Sequence, residues 1–125
     1  MIALFLLSRM EISMRILKFF AGWCAPCTAY APTFEQAEAQ LGFQYPDIKW
    51  ESINVDVVDA GTLYGVTSIP TTLILGDNNE ELERLVGNLP FEVLAQSVMN
   101  TFDTYKASKE EAATMTEPEL EYGSN

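Results

Sequence analysis

The spacing of hydrophobic residues predicts alternating strands and helices between residues 14 and 105. The nearly continuous apolar run Met14–Phe20 (MRILKFF) is typical of a central strand that is covered on both faces. Residues 24–41 then change to a helical period, and their apolar side chains form one stripe: Cys27, Tyr30, Phe34, Ala37 and Leu41. Pro32 lies inside this predicted helix and should kink it, and Gly42 is its predicted end.

The chain after residue 47 predicts one more strand, two more helices and a hairpin. Residues 48–55 alternate as in a strand, and residues 57–64 fit a short helix. Two apolar segments within residues 71–86 flank a run of turn formers and therefore predict a hairpin, which a helix from Pro90 onward follows. The order β-α-β-α-β-β-α predicts an α/β fold, in which a central mixed four-stranded sheet is flanked by helices and the first two strands are parallel.

Both ends of the chain depart from this pattern. The apolar run Ile2–Leu7 is shorter than the about 20 residues of a membrane helix. Arg9 follows this run, whereas a secretory signal places its basic residues first. We therefore expect residues 1–13 to be an N-terminal extension or a short edge strand, which would make the sheet five-stranded. Glu-rich residues 107–125 predict a disordered acidic tail, which leaves residues 14–106 as the domain.

Composition and charge exclude several functions. Eighteen acidic and seven basic residues give a formal charge of −11, which disfavours nucleic-acid binding. The chain has no histidine, so Ser-His and Cys-His nucleophile pairs are excluded. Two cysteines alone cannot complete a four-ligand zinc site. Without a convincing signal peptide or membrane segment, the default setting is a reducing, cytoplasmic one with no membrane partner.

The pair Cys24 and Cys27 is the strongest candidate for chemistry. Cys24 falls where the first helix begins, and unpaired N–H groups at a helix N-terminus favour a thiolate. Two intervening residues on a helical turn place Cys27 close enough to form a disulfide. We expect Cys24, at the exposed tip, to be the nucleophile and Cys27, one turn further in, to resolve the mixed disulfide. The alternatives are two inert buried cysteines or a metal shared across a dimer.

The sequence WCAPC at residues 23–27 resembles the WCGPC signature of the thioredoxin family, with Ala25 in place of glycine. Further similar segments occur in the family's order over about residues 14–105: Ala31-Pro32, Asn54-Val55-Asp56, Ser68-Ile69-Pro70-Thr71 and Val86-Gly87. The resemblance implies a thioredoxin-like fold and a protein-disulfide reductase with no bound cofactor, whose redox group is the Cys24–Cys27 disulfide. It also implies disulfide-containing protein substrates and a thioredoxin reductase as partners. We expect a monomer.

The resemblance assigns roles to residues around the dithiol. Pro70 is expected to have a cis peptide bond and to pack against the dithiol, and the backbone of Ile69 to pair with an extended substrate segment. Trp23, Pro26, Ile69 and Gly87 would form an apolar rim around Cys24. Gly87 would be small because substrate backbone approaches closely there.

Three departures from the family pattern affect these expectations. Lys18 stands where the family has a buried Asp, and Ser52 stands where it has a Lys. A charged Lys18 could lower the pKa of a nearby thiol, or it could extend to solvent and contact neither sulfur. The short segment before Met14 resembles the trimmed core of glutaredoxins, so a glutathione-coupled oxidoreductase is one alternative function. A non-catalytic thioredoxin-fold subunit of a larger complex is another.

Overall fold

A computed structural model describes residues 12–123, of which residues 113–123 are described only as helical backbone. Its elements follow the predicted order: β1 (Met14–Phe20), α1 (Ala25–Gln44), β2 (Ile48–Asn54), α2 (Ala60–Tyr64), β3 (Thr71–Leu75), β4 (Glu81–Val86) and α3 (Phe91–Gly123). The bounds of β1 match the prediction from its apolar run. The predicted extension or edge strand at residues 1–13 lies almost entirely outside the described residues.

The four described strands form one mixed sheet in the order β2-β1-β3-β4. β1 is parallel to β2, as expected for strands joined by a helix, and antiparallel to β3. β3 and β4 form the predicted antiparallel hairpin, with an irregular register between Ile74 and Leu75. The predicted α/β class and mixed four-stranded sheet are therefore confirmed. The possible fifth strand was predicted within residues 1–13, which lie almost entirely outside the described residues.

The two faces of β1 separate the core into two layers. Ile16 packs with the buried stripe of α1 and the inner face of α3, whereas Leu17 and Phe19 pack with α2 and the loop that follows it. All five residues of the predicted α1 stripe are buried, and Pro32 lies inside the helix as expected. The end of β1 and the start of α1 therefore have fixed positions at one edge of the sheet.

Two predicted helix bounds are wrong. α1 continues through Gly42 to Gln44, and the N–H of Tyr45 still bonds to the carbonyl of Leu41 at 2.7 Å. Pro46, rather than the glycine, limits this helix, because the residue before a proline avoids helical backbone angles. α2 begins only at Ala60, because the Asp59 carboxylate caps it by accepting the N–H of Thr62 at 3.2 Å.

The C-terminal segment differs from the disordered tail that composition predicted. α3 runs to Gly123 and includes most of residues 107–125. The stretch after Lys106 is rich in Ala and Glu, which favour helix, and Lys109 forms an ion pair with Asp77 at 3.0 Å. Among residues 12–123, no helix is long and apolar enough to cross a membrane.

Candidate active site

Cys24 caps the N-terminus of α1. Its backbone is extended, with φ of −95°, and its Sγ accepts a hydrogen bond from the N–H of Cys27 at 3.2 Å. The N–H of Cys24 bonds to the carbonyl of Ala21 at 3.2 Å, and its own carbonyl accepts the N–H of Thr28 at 3.1 Å. The sulfur therefore occupies the place of a capping oxygen, where helix N–H groups stabilise negative charge.

Cys24 and Cys27 are joined by a disulfide bond in this structure. Their Cα atoms lie 5.2 Å apart, within the usual range for disulfide-bonded cysteines. The two-residue spacing on the first helical turn thus brings the sulfurs together, as the sequence predicted. The dithiol can open and close within one turn of helix, because both residues remain anchored by the α1 backbone.

The expectation that Cys24 stands at an exposed tip is wrong. Cys24 is 6% exposed and Cys27 is 2% exposed, so both are buried. Ala21 shares their cluster, and the partly buried side chains of Phe20, Val55 and Ile69 pack against it. These neighbours, which come from three different segments, cover the sulfurs more completely than a helix start alone would. Cys24 remains the more accessible of the two.

The loop before β3 lies against the dithiol. The Ile69–Pro70 peptide bond is cis, and Pro70 is buried. The carbonyl oxygen of Ile69 lies 3.8 Å from Cys24 Sγ. This loop therefore places backbone polar groups next to the sulfur, where an extended segment of another chain could reach them.

Gly87 follows β4 and is tied to the same loop. Its N–H donates to the carbonyl of Pro70 at 2.8 Å, and its φ of +104° is one that L side chains rarely adopt. No heavy atom outside its immediate chain neighbours lies within 4 Å of an added Cβ. The backbone angle thus requires glycine here, and the space in front of it is open.

Trp23 forms an exposed wall beside the dithiol. Its side chain is 71% exposed, and its Nε1–H lies 3.0 and 3.2 Å from the two carboxylate oxygens of Asp56. A groove of about 250 Å³ runs between Trp23 and Ile69. Pro26 is exposed on the first turn of α1 and does not line this groove. Of the predicted rim residues, Trp23 and Ile69 therefore share the groove, and Pro26 does not.

Most of the Lys18 side chain is buried. It is 6% exposed, and its Nζ lies 5.4 Å from the ring centre of Phe20 and 5.1 Å from that of Phe34. Burial lowers the pKa of its ammonium, and the negative charges of Glu35 and Glu38 oppose this shift. Lys18 makes no hydrogen bond to either sulfur. Phe20, which also packs against the dithiol cluster, is the neighbour that connects them.

Sequence reasoning missed two acidic residues at the site. Asp56 orients the Trp23 indole, and Asp59 lines the groove while it caps α2. Both residues follow β2. An acidic residue that lies between a strand and a helix is a sequence signal for a helix N-cap, and this signal could have identified Asp59. In the segments with described side chains, no group of three or more His, Cys, Asp or Glu could hold a metal ion.

These features together describe one kind of site: an α/β fold presents a CxxC disulfide at a helix N-terminus, next to a proline loop. The family model described as Thioredoxin matches residues 7–100. The chain therefore belongs to the thioredoxin family, which confirms the resemblance read from WCAPC.

Individual relatives agree with this assignment. The chain is 44% identical to "Thioredoxin H5" of rice (Oryza sativa subsp. japonica) over 73 residues, which cover 58% of this chain and 50% of the relative. It is 40% identical to "Thioredoxin" of Bacillus subtilis over 81 residues, which cover 64% of this chain and 74% of the relative. The matched segment thus spans half of the rice protein.

Solved structures show the same fold. The X-ray structure of Fasciola hepatica thioredoxin matches with a TM-score of 0.60 and 26% identity, over 79% of this chain and 90% of that one. The match therefore covers most of both chains.

Proposed function

We propose that this protein reduces disulfide bonds in other proteins through Cys24 and Cys27. The observation that carries the proposal is the position of Cys24 Sγ at the N-terminus of α1, 3.2 Å from the N–H of Cys27. That donor stabilises a sulfur anion, which is the species that attacks disulfides. The second sulfur is already within bonding reach of the first.

The reaction takes place in two exchanges. The Cys24 thiolate attacks one sulfur of the target disulfide, so a mixed disulfide forms and the other target sulfur leaves as a thiolate. The Cys27 thiolate then attacks Cys24 Sγ, which breaks the mixed disulfide and releases the second target thiolate. Two electrons have passed to the target, and the protein holds the Cys24–Cys27 disulfide. An external dithiol returns two electrons and restores the reduced pair.

The neighbouring loops suit an extended substrate. The peptide groups around Ile69 lie at the sulfur, and the open space at Gly87 admits another backbone. Trp23, Pro26, Ile69 and Gly87 would make the contacts with the substrate, whereas the buried Pro70, also predicted to bind substrate, would act by holding Ile69 in place. The protein would act as a monomer in the cytoplasm and be reset by a thioredoxin reductase.

A glutathione-coupled activity is less well supported. Glutathione carries two carboxylates, and none of the residues that line the groove beside the dithiol is a cation. Asp59 would instead repel that ligand at this position. Reduction of the oxidised protein by glutathione and by thioredoxin reductase, measured side by side, separates the two donors.

Lys18 is the proposed tuning residue of the dithiol. The positive charge of Lys18 lies 5.4 Å from the ring centre of Phe20, which packs against the dithiol cluster. Electrostatic attraction by this charge favours the thiolate form of a nearby cysteine over the thiol form. We expect Lys18→Asp to alter the pH–rate profile of disulfide reduction, with the effect on the resolving step. An unchanged profile would remove Lys18 from the mechanism.

Insulin reduction tests the proposed function. With dithiothreitol as the electron source, the wild-type protein should accelerate precipitation of the insulin B chain, and Cys24→Ser should be inactive. Cys27→Ser should accumulate a mixed disulfide with insulin that is visible on a non-reducing gel. If the doubly substituted Cys24→Ser, Cys27→Ser protein keeps the full biological effect of the wild type, the fold serves as a binding subunit instead.

A further inference from the structure

The groove beside the dithiol carries negative charge. It has a volume of about 250 Å³, and its lining includes Trp23, Val55, Asp59, Val66, Thr67 and Ile69. Asp59 is the one ionisable carboxylate among the residues that line it, and no lysine or arginine is present there. Asp56, which fixes the Trp23 wall, adds a second carboxylate at this end of the site.

Asp59 is an anion throughout the neutral pH range. It accepts the N–H of Thr62 at 3.2 Å, and hydrogen bonds from Thr62 hold the pKa of this carboxyl below its ordinary value. The capping bond also fixes its position at the start of α2. The charge that faces the groove is therefore both permanent and localised.

The two arginines of the described residues are engaged with other groups. Arg84 donates to Glu81 and to the carbonyl of Tyr64, and Arg15 pairs with Glu51. Lys18 is buried under its aromatic neighbours and does not reach the groove. The formal charge of −11 on the whole chain adds to the negative electrostatic potential around the groove.

We propose that this groove selects disulfide substrates in which a lysine or arginine flanks the attacked cysteine. The inference rests on the proposed function and names its substrate class. An extended basic segment is the occupant with complementary charge: its ammonium or guanidinium group would face Asp59, and its side chain would lie along Trp23. An indole face is also the aromatic surface that binds such cations best.

Three cyclic disulfide peptides that differ only in the residue next to one cysteine, Arg, Gln or Glu, provide the test. Second-order rate constants for their reduction by the fully reduced protein are measured at 20 mM and 500 mM NaCl. Each rate constant is divided by the rate constant of dithiothreitol on the same peptide, because a neighbouring charge changes the reactivity of any disulfide.

The variant Asp59→Asn removes the charge but keeps a good helix cap. Asp103→Asn is the matched control, since Asp103 is an exposed aspartate on α3, which packs on the other face of the sheet. The same peptides and salt concentrations apply to both variants.

We expect the normalised Arg-to-Glu rate ratio to be about tenfold at 20 mM NaCl and below about twofold at 500 mM. Asp59→Asn should lower the ratio at 20 mM about threefold, whereas Asp103→Asn should leave it unchanged. A ratio near one, a preference for the Gln or Glu peptide, or equal ratios in the wild type and Asp59→Asn would overturn the inference while the proposed function stands. Failure to reduce any peptide, or insulin, would overturn both.

Discussion

Replacing Lys18 by methionine should stabilise the protein at neutral pH. Lys18 is 6% exposed and burial lowers the pKa of its ammonium, so the charge has lost part of its hydration, and a full loss costs several kcal/mol per ion in proteins. The rings of Phe20 and Phe34 return about 1–2 kcal/mol in total through cation–π contacts. Attraction to Glu35 and Glu38 returns a further part. Methionine fills a similar volume without the charge, so we expect a gain of about 1–2 kcal/mol in the free energy of unfolding.

The stability difference between the wild type and Lys18→Met should depend on pH. Burial lowers the pKa of Lys18 in the folded state, so between that value and the ordinary lysine pKa the unfolded chain binds more protons. The contribution of Lys18 to wild-type stability therefore rises with pH across this alkaline window, whereas Lys18→Met lacks this term. The stability gap between the two proteins should be widest near pH 7 and should narrow toward pH 10.

Urea unfolding of the oxidised proteins at pH 7, 8, 9 and 10 measures both effects. Lys106→Met is the control, because Lys106 is exposed, and its stability should stay within about 0.5 kcal/mol of the wild type at each pH. If Lys18→Met is less stable than the wild type at pH 7, or if its curve runs parallel to that of the wild type up to pH 10, the account of a costly buried ammonium is refuted.

Two further substitutions test the supports of the site and of the C-terminal helix. Gly87→Ala should lose about 1–2 kcal/mol of unfolding free energy, because the φ of +104° at this position strains an L residue. Gly22→Ala is the control and should be neutral, since Gly22 has open space around it and no positive φ. Urea unfolding of both variants measures the difference. Tyr105→Phe should lose about 1–3 kcal/mol, since its hydroxyl accepts the N–H of Asp77 at 2.9 Å and contacts the carboxylates of Asp77 and Glu80; an unchanged thermal midpoint would contradict this role.

The strands and the α1 stripe could be predicted from local pattern alone. The bounds of β1 follow from an uninterrupted apolar run, and the buried face from Cys27 to Leu41 follows from helical spacing. Gly42 misled the prediction, because a glycine is compatible with a helix end without requiring one. Pro46 carried the stronger signal, since it disfavours helical angles at Tyr45.

The active site was less predictable because its surroundings come from segments that are far apart in sequence. Placing Cys24 at the start of α1 needed only the motif and the preceding strand. Its burial depends on Val55 and Ile69, whose approach is set by the sheet order. The burial of Lys18 likewise depends on Phe34 of α1, and a lysine read along β1 gives no indication of this neighbour.

The reactivity of Cys24 tests the central claim most directly. In Cys27→Ser the N–H that Cys24 Sγ accepts remains, while Cys24 becomes the one thiol of the chain. Alkylation of this variant by iodoacetamide, followed against pH, should show a midpoint below about pH 7.5, as expected for a thiolate at a helix N-terminus. A midpoint at or above about pH 8.5, the value of free cysteine, would contradict the stabilised thiolate on which the proposed function depends.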